Sequence, residues 1–518
     1  MRTVVISGEA LTVADVVAVA RGQARASLAP DVAARMAPSC QVVAAAVERS
    51  EVVYGVTTGF GALADVSVAR GDLEQMQRAL VLSHAAGVGE PLADDVVRAL
   101  LLLRARTLTA GFSGVRVALP ARLLELLDQG LLPVVPCKGS VGASGDLAQL
   151  AHLALPLIGA GRLRAEGSSE LAGRQAGELL EEYGLEPLVL APKDGLALLN
   201  GTEPMQALLA FSVADAELLV KTADIACALS VEALLGTDRP YDERVQALRP
   251  HPGQLASAGN LRTLLRGSPL LASHRHSTHA VQDAYSLRCA PQVHGAVRDV
   301  LAHCRRVLEV ELGSVVDNPV IVSAPDGTGY DVMSTGNFHG EPLAFAADML
   351  AMALAELASI SERRVDRMLD PAFSRGLPPF LAPYAGTNSG YMLAQYTAAA
   401  VVSENKVLAH PASVDTIPTS GNQEDHVSMG WGAVRKLREV VANVRTTLAV
   451  ELVCAAQGVD LRSQVAGPGP ATQAVHARLR QVVARMDVDR EVAPQLAVAD
   501  AVLPELVAAA EGVTGPLA

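Results

Sequence analysis

The sequence is poor in aromatic residues, in charged residues and in uninterrupted apolar runs. Aromatic residues make up 3% and charged residues 19% of its 518 residues, whereas 50% are apolar. A membrane-spanning helix needs about 20 consecutive apolar residues. The longest stretch without Asp, Glu, Lys or Arg, residues 376–403, is interrupted by Pro378, Pro379, Pro383 and Asn388. We therefore expect no membrane partner.

Basic residues are also scarce relative to acidic ones. The chain has 42 Lys and Arg against 55 Asp and Glu, a net charge of −13, which argues against a nucleic-acid partner. Its six cysteines are scattered without a CxxC pair, as is usual for free thiols in a reducing compartment. Glu9 and Asp15 interrupt the N-terminal apolar stretch, where an export signal would be continuous. The expected location is cytoplasmic.

Long segments with few glycines predict helices after residue 200. They cover residues 204–235, 293–311, 342–364, 391–407 and 435–457. Several are apolar on most faces, as in helices buried inside a bundle. Before residue 200, short apolar segments alternate with glycine-rich turns. The sequence predicts a mainly α fold, an elongated bundle of long helices with a smaller mixed, loop-rich N-terminal part. The predicted domains are residues 1–200, 201–465 (the bundle) and 466–518 (a helical tail).

The densest unusual segment begins at Lys138, where a run of small residues ends in Ala143-Ser144-Gly145-Asp146. One interpretation is a helix start, with Ser144 as the cap and Asp146 at the positive end of the dipole. A phosphate-binding loop is a poorer match, since the GxGxxG and Walker patterns are missing. A nucleophilic serine would be expected in a GxSxG turn, which is also missing.

The same residues allow a cyclisation. Attack of the Gly145 nitrogen on the Ala143 carbonyl closes a five-membered ring around Ser144. Loss of water, including the serine hydroxyl, leaves a methylidene conjugated to an imidazolone. Glycine and a small preceding side chain reduce the steric cost of this bend. The product is an electrophile, which none of the twenty side chains supplies.

Eight segments resemble the aromatic amino acid ammonia-lyase and aminomutase family. They are YGVTTGFG (54–61), SHAAGVGEPL (83–92), GSVGASGDLAQLAH (139–152), LALLNGT (196–202), VQDAYSLRCAPQV (281–293), DNP (317–319), GNFHGEP (336–342) and TSGNQEDHVSM (419–429). The resemblance implies a 4-methylideneimidazol-5-one (MIO) group formed autocatalytically from Ala143, Ser144 and Gly145, with no external cofactor and no metal. It also implies a small amino acid as substrate and a homotetramer whose active sites combine residues from three chains.

Two positions favour L-histidine as the substrate. Ser83-His84 occupies the place that reads the substrate side chain in the family, and Glu424 matches an acidic residue near the imidazole. A histidine and a carboxylate can hydrogen-bond to the two ring nitrogens of the substrate. With phenylalanine these two protein groups would be left unpaired, which disfavours its binding. The implied reaction is that of a carbon–nitrogen lyase, which releases ammonia and trans-urocanate.

Other functions on the same scaffold stay open. They are a histidine or tyrosine 2,3-aminomutase and a tyrosine ammonia-lyase. A catalytically inactive helical binding protein is disfavoured, since the residues of the implied site are intact.

The resemblance assigns roles to further residues. It makes Tyr54 the base that removes the β-proton, Asn200 a residue that positions the MIO or the substrate carboxylate, and Phe338 a shield for the MIO ring. Asp146 either assists ring formation or is only the carboxylate at the start of a helix.

Three residues of the 281–293 segment are expected in the active site. Gln282, Tyr285 and Arg288 stand at i, i+3 and i+6, a spacing that predicts one face of a helix. Gln282 is expected to bind substrate and Tyr285 to be catalytic. The planar fork of Arg288 suits a substrate carboxylate.

A nearby HxHxxH cluster is the most obvious candidate for metal binding. It comprises His274, His276 and His279. No carboxylate or cysteine motif accompanies it, and Arg275 lies within it, so we predict no metal site there.

Overall fold

The computed structural model describes residues 1–63, 65–142 and 145–518. Helices account for 57% of the structure, with twenty α-helices and nine short strands among the described residues. This confirms the predicted mainly α fold. The chain forms two compact units, each assembled from separate stretches. Unit one comprises Met1–Phe211, Arg305–Ala347 and Ala412–Arg435, and unit two comprises Ser212–Cys304, Asp348–Pro411 and Lys436–Ala518. The division at residues 200 and 465 stays a prediction.

The described strands all lie in unit one and form four small sheets. Arg2–Ile6 pairs in parallel with Ala24–Leu28, in the register Arg2 to Ala24. Antiparallel pairs join Val88–Pro91 to Pro136–Lys138, Leu131–Pro133 to Arg162–Ala165, Arg162–Ala165 to Arg174–Gln175, and Val320–Ser323 to Tyr330–Met333.

Eight α-helices belong to unit one alone. They are Val13–Ala20, Val32–Glu48, Leu73–His84, Asp94–Thr109, Ala118–Asp128, Leu147–Ala154, Ala176–Glu182 and Asp194–Leu199. The first starts at a capping box, in which the Thr12 hydroxyl accepts the Asp15 amide and the Asp15 carboxylate accepts the Thr12 amide, both at 3.1 Å. Asp94–Thr109 is a core helix, since every residue from Val96 to Thr109 is buried.

The long helices that the sequence predicts are all present. Four of them, Glu203–Ala233, Ala290–Glu311, Glu341–Leu369 and Gly430–Leu461, are 22 to 32 residues long. The fifth is Met392–Leu408. Pro204 and Pro342 are each the second residue of their helix, where a missing amide hydrogen breaks no helical bond.

Shorter helices complete unit two. They are Glu243–Gln246, Pro252–Leu264, Pro269–Ser273, Tyr285–Arg288, Pro470–Arg480, Ala493–Ala501 and Leu503–Thr514. A buried polar network joins three of the unit's helices. Asp224 accepts hydrogen bonds from Ser257 (2.6 Å), His294 (2.7 Å) and Arg298 (2.7 Å).

Helix Glu341–Leu369 has the length and apolarity of a membrane span, the one such case among the described residues. Its most apolar window has a mean hydropathy of 1.7, and 61% of that window is buried inside the protein. Buried core helices of large proteins satisfy the same criterion.

Candidate active site

A cavity of about 320 Å³ in unit one gathers four of the residues predicted for the site. These four are Tyr54, His84, Asn200 and Glu424. The remaining lining residues are Phe60, Gly61, Ala62, Leu63, Leu80, Leu147, Leu196, Leu199 and Ser420. The walls are largely apolar with a few polar groups, which is the usual composition of a small-molecule site.

Four separate elements carry the polar residues of this cavity. Tyr54 lies in the glycine-rich loop before residue 63, and His84 is the last residue of helix Leu73–His84. Asn200 directly follows helix Asp194–Leu199, and Glu424 follows a short 3-10 turn at Ser420–Asn422. Residues spread over 370 positions of sequence therefore meet only through the fold of unit one.

His84 presents a neutral imidazole whose Nε2 makes no hydrogen bond to the described residues. Its Nδ1 lies 2.9 Å from the Leu80 carbonyl oxygen, and because a carbonyl only accepts, Nδ1 carries the hydrogen. Burial lowers the pKa of His84 below its usual 6.5, so the ring is neutral at pH 7. The Phe60 ring packs edge-on against the imidazole at 5.6 Å between centroids. Nε2 is left as an acceptor.

Glu424 supplies a carboxylate to the same cavity and is held by the backbone and side chain of Thr419. The Thr419 hydroxyl donates to Glu424 Oε2 at 2.6 Å, and the two residues form an antiparallel bridge. Since a carboxylate accepts several hydrogen bonds, its other oxygen stays available. Thr419 was missed from the sequence, although it lies within the TSGNQEDHVSM segment.

Tyr54 and Asn200 can each make one further hydrogen bond, Tyr54 through its hydroxyl proton and Asn200 through its side-chain oxygen. The Tyr54 hydroxyl oxygen accepts the Gly61 amide at 3.1 Å, so the hydroxyl proton is not used in that bond. The Asn200 amide nitrogen donates to the Asn318 carbonyl at 3.0 Å. Its oxygen Oδ1 is buried and has no partner within the described residues. A buried acceptor without a partner marks a place where a ligand group would be stabilised.

The predicted precursor residues Ala143 and Ser144 lie outside the described residues, but Gly145 and Asp146 beside them are described. Gly145 has φ +75°, and an added Cβ would overlap the Gly201 carbonyl oxygen. Only glycine fits there, so the nitrogen proposed to close the ring belongs to a residue without a side chain. Buried Asp146 accepts hydrogen bonds from Ser140 (2.6 Å) and from the Met205 amide (3.1 Å). Burial raises the pKa of Asp146 to about 7.

Besides Gly145, four predicted site residues that the structure describes do not line the cavity. Gln282, Tyr285 and Arg288 belong to unit two, where Gln282 lines a separate cavity of about 120 Å³. Tyr285 is 71% exposed, and its ring packs 4.6 Å from the Arg288 guanidinium. Phe338, in unit one, is half-buried in the loop after strand Tyr330–Met333.

The single helix face predicted for Gln282, Tyr285 and Arg288 is wrong. The helix begins only at Tyr285, and Gln282 lies in the preceding loop. The carboxylate of the adjacent Asp283 accepts the Thr237 amide at 2.8 Å and the Arg375 guanidinium at 2.9 Å. Such contacts with residues distant in sequence override a local helical spacing.

The described residues contain one cluster with the composition of a metal site, and it is not the HxHxxH segment. Potential ligand atoms of His339, Glu341 and His426 all lie within 4.8 Å of one another. His274 and His279 instead bond through Nε2 to the carbonyl oxygens of Gly236 (2.7 Å) and Leu235 (3.2 Å).

A mainly helical fold with a largely apolar cavity, a few polar side chains in its walls and a glycine-restricted turn nearby is consistent with an enzyme for a small-molecule substrate. The sequence profile described as aromatic amino acid lyase matches residues 11–481. The chain is 54% identical over 494 residues to a histidine ammonia-lyase of Anaeromyxobacter sp. (strain K), covering 95% of this chain and 96% of that one.

Two solved structures show the same fold. The histidine ammonia-lyase of Trypanosoma cruzi has a TM-score of 0.90 at 39% identity, covering 99% of this chain and 96% of its own. The tyrosine aminomutase of Streptomyces globisporus has a TM-score of 0.92 at 37% identity, covering 100% of both chains. The protein belongs to the aromatic amino acid lyase family and is a carbon–nitrogen lyase, as its resemblance implied. Members of this family use an MIO group formed from their own chain.

Proposed function

We propose that this protein is a histidine ammonia-lyase, which converts L-histidine to trans-urocanate and ammonia. The observation that carries the proposal is the pair of acceptors in the cavity, His84 Nε2 and the Glu424 carboxylate. Two acceptors match an imidazolium side chain, which offers two N–H donors, and penalise a phenyl ring, which offers none. Relatives that share about half of their residues with this chain are named histidine ammonia-lyases, which points to the same substrate.

The MIO group is proposed to form from Ala143, Ser144 and Gly145. The described surroundings fit it, because the Gly145 site admits only glycine and the nearby Asn200 Oδ1 lacks a partner within the described residues. When formed, the group supplies an electrophilic methylidene that makes the substrate amine a better leaving group. Asn200 is proposed to position this group or the substrate carboxylate, and Phe338 to shield its ring.

Tyr54 is proposed as the base that takes the β-proton of the substrate. Its hydroxyl oxygen already accepts the Gly61 amide, a bond that stabilises negative charge on that oxygen when the proton leaves. The neutral imidazole of His84 and the carboxylate of Glu424 are proposed to bind the substrate imidazole, so that the β-carbon is directed toward Tyr54.

We propose that the active site is completed in a homotetramer. The proposal would explain why Gln282, Tyr285 and Arg288, with their substrate-binding and catalytic roles, do not line the cavity of a single chain. Helix Glu341–Leu369 also exposes Phe345 (51%), Met349 (37%) and Met352 (45%) at helical spacing. Contiguous exposed apolar side chains are typical of subunit interfaces. A cytoplasmic location is proposed as well, in keeping with six free cysteines.

The direct test is to incubate the purified protein with L-histidine and to follow urocanate by its absorbance. Chromatography for β-histidine in the same reaction separates a lyase from an aminomutase. A parallel incubation with L-tyrosine tests for coumarate and β-tyrosine, since the Streptomyces globisporus aminomutase has the same fold. Coumarate or β-tyrosine without urocanate would refute the histidine assignment.

The cofactor part of the proposal has its own measurement. The intact mass of active protein is expected to be two waters below that of the unmodified chain. Ser144→Ala cannot lose the serine hydroxyl and is expected to lose activity. An active protein with the unmodified mass would refute the MIO assignment.

A further inference from the structure

A buried ion pair lies directly behind the cavity wall in unit one. Arg104 and Glu203 are both fully buried, with Arg104 Nη1 at 2.7 Å from Glu203 Oε1. Arg104 Nε and Nη2 and Glu203 Oε2 have no hydrogen-bond partner among the described residues. Burying two charges costs desolvation energy that is repaid only by complete hydrogen bonding. Stability alone therefore does not account for this pair.

Both charged side chains contact the backbone of Asn200 and Gly201. Arg104 Nη1 donates a second hydrogen bond to the Asn200 carbonyl oxygen, at 3.2 Å. A Cβ added to Gly201 would overlap the Glu203 carboxylate and the Arg104 guanidinium. The pair thus supports the Asn200–Gly201 peptide from one side by a hydrogen bond and by close packing.

The adjoining Gly201–Thr202 peptide contacts the turn around Gly145. The Asp146 amide donates to the Gly201 carbonyl oxygen at 2.9 Å, and that oxygen also fills the space a Gly145 side chain would need. The helix that begins at Glu203 adds the Met205 amide, which donates to the Asp146 carboxylate at 3.1 Å. Contacts from Arg104 to Gly201 and from Gly201 to Asp146 form a continuous chain.

We infer that the Arg104–Glu203 pair is a positioning element for MIO formation, holding Gly201 so that the Gly145 nitrogen is fixed for ring closure. The inference rests on the proposed function. Ring closure joins the Gly145 nitrogen to the Ala143 carbonyl carbon, and the carbonyl oxygen leaves as water with the amide hydrogens of Ser144 and Gly145. A second water takes the Ser144 hydroxyl and its Cα hydrogen, so no oxidant is required.

The test measures the rate of maturation in freshly synthesised protein. After a short pulse of expression, the intact mass of soluble protein is followed until the two-water loss is complete. In Arg104→Lys, which keeps the charge but loses the guanidinium fork, and in the double variant Arg104→Met with Glu203→Leu, we expect the loss to be about a hundredfold slower. The double variant leaves no unpaired buried charge and is therefore expected to fold.

The matched control is Glu451→Gln in unit two. Glu451 forms an equally buried pair with Arg364, at 2.5 Å, and its other hydrogen bonds come from Ser230 and Ser361, which also belong to unit two. We expect it to lower the melting temperature while maturing at the wild-type rate. Wild-type maturation rates in both Arg104 variants would overturn the inference. A wild-type chain that never loses two waters would instead refute the proposed function.

Discussion

At the scale of single residues, selectivity comes from which hydrogen-bonding atoms are left free. The Nδ1 hydrogen of His84 is donated to the Leu80 carbonyl, so Nε2 can accept a hydrogen bond from a substrate. The Thr419 hydroxyl donates to only one oxygen of Glu424. A site with two open acceptors discriminates against substrates that cannot donate, because the acceptors would then be buried without partners.

Glu424→Gln is expected to reduce kcat/KM for L-histidine about tenfold to a hundredfold, because one hydrogen bond to a charged group is lost. The intact mass should still be two waters low, since Glu424 is proposed to touch the substrate only. Asp425→Asn is the matched control, an exposed neighbour that does not line the cavity. An unchanged kcat/KM in Glu424→Gln would contradict the substrate-binding role.

Tyr54→Phe is expected to lower kcat by about a hundredfold or more, the usual contribution of a general base. Substrate binding and the two-water mass difference should both be kept, because the phenyl ring fills the same space. Tyr384→Phe, at an 82% exposed tyrosine, is the control and should leave kcat unchanged. If Tyr54→Phe keeps its kcat, another group is the base.

At the scale of elements, helices in unit two are joined by buried charged groups, of which Asp224 is the centre. Although burial by itself raises the pKa of Asp224, the nearby Arg298 and the bond from His294 lower it to about 2. A carboxyl with a lowered pKa stabilises the fold fully above its unfolded value, near 3.8, and this contribution is lost as the pH falls toward 2.

Asp224→Asn is therefore expected to lower the free energy of unfolding by about 3 kcal/mol at neutral pH, because Arg298 is left without its buried partner. Between pH 3.8 and 2, thermal unfolding should show a shallower loss of stability than in the wild type. Asp242→Asn is the control, since the pKa of Asp242 is also lowered to about 2, through a hydrogen bond from Arg244, but its side chain is 34% exposed rather than fully buried. It should cause no measurable loss.

At the scale of the whole molecule, the distribution of site residues predicts complementation between chains. Tyr54 lies in the cavity of unit one, while Arg288 lies in unit two and outside that lining. Co-expressed Tyr54→Phe and Arg288→Met chains should form mixed tetramers in which about a quarter of the active sites contain neither change. Each variant alone should be nearly inactive.

The measurement compares the specific activity of the co-expressed protein with that of the two variants purified separately and then mixed. Recovery only on co-expression indicates sites shared between chains. No recovery, with mixed tetramers verified by mass, would mean that Tyr54 and Arg288 act within one chain.

The sequence by itself determined the local elements and the chemistry-bearing segments. Glycine-poor apolar stretches specified the five long helices, because helix formation depends on residues three and four positions apart. Pro204 and Pro342 indicated where two of them start. The segments around Tyr54, His84 and Glu424 were recognisable because each is contiguous in sequence.

Only the tertiary structure decided which groups meet and what each has left to offer. The backbone carbonyl of Leu80 decides which nitrogen of His84 carries the hydrogen. The Asn200 bond to Asn318 and the Arg104–Glu203 pair join residues about 100 or more positions apart. Neither periodicity nor motif spacing encodes such contacts. The loop conformation of Gln282 was likewise not predictable from the sequence, because the adjacent Asp283 is bound by Thr237 and Arg375, which are distant in sequence.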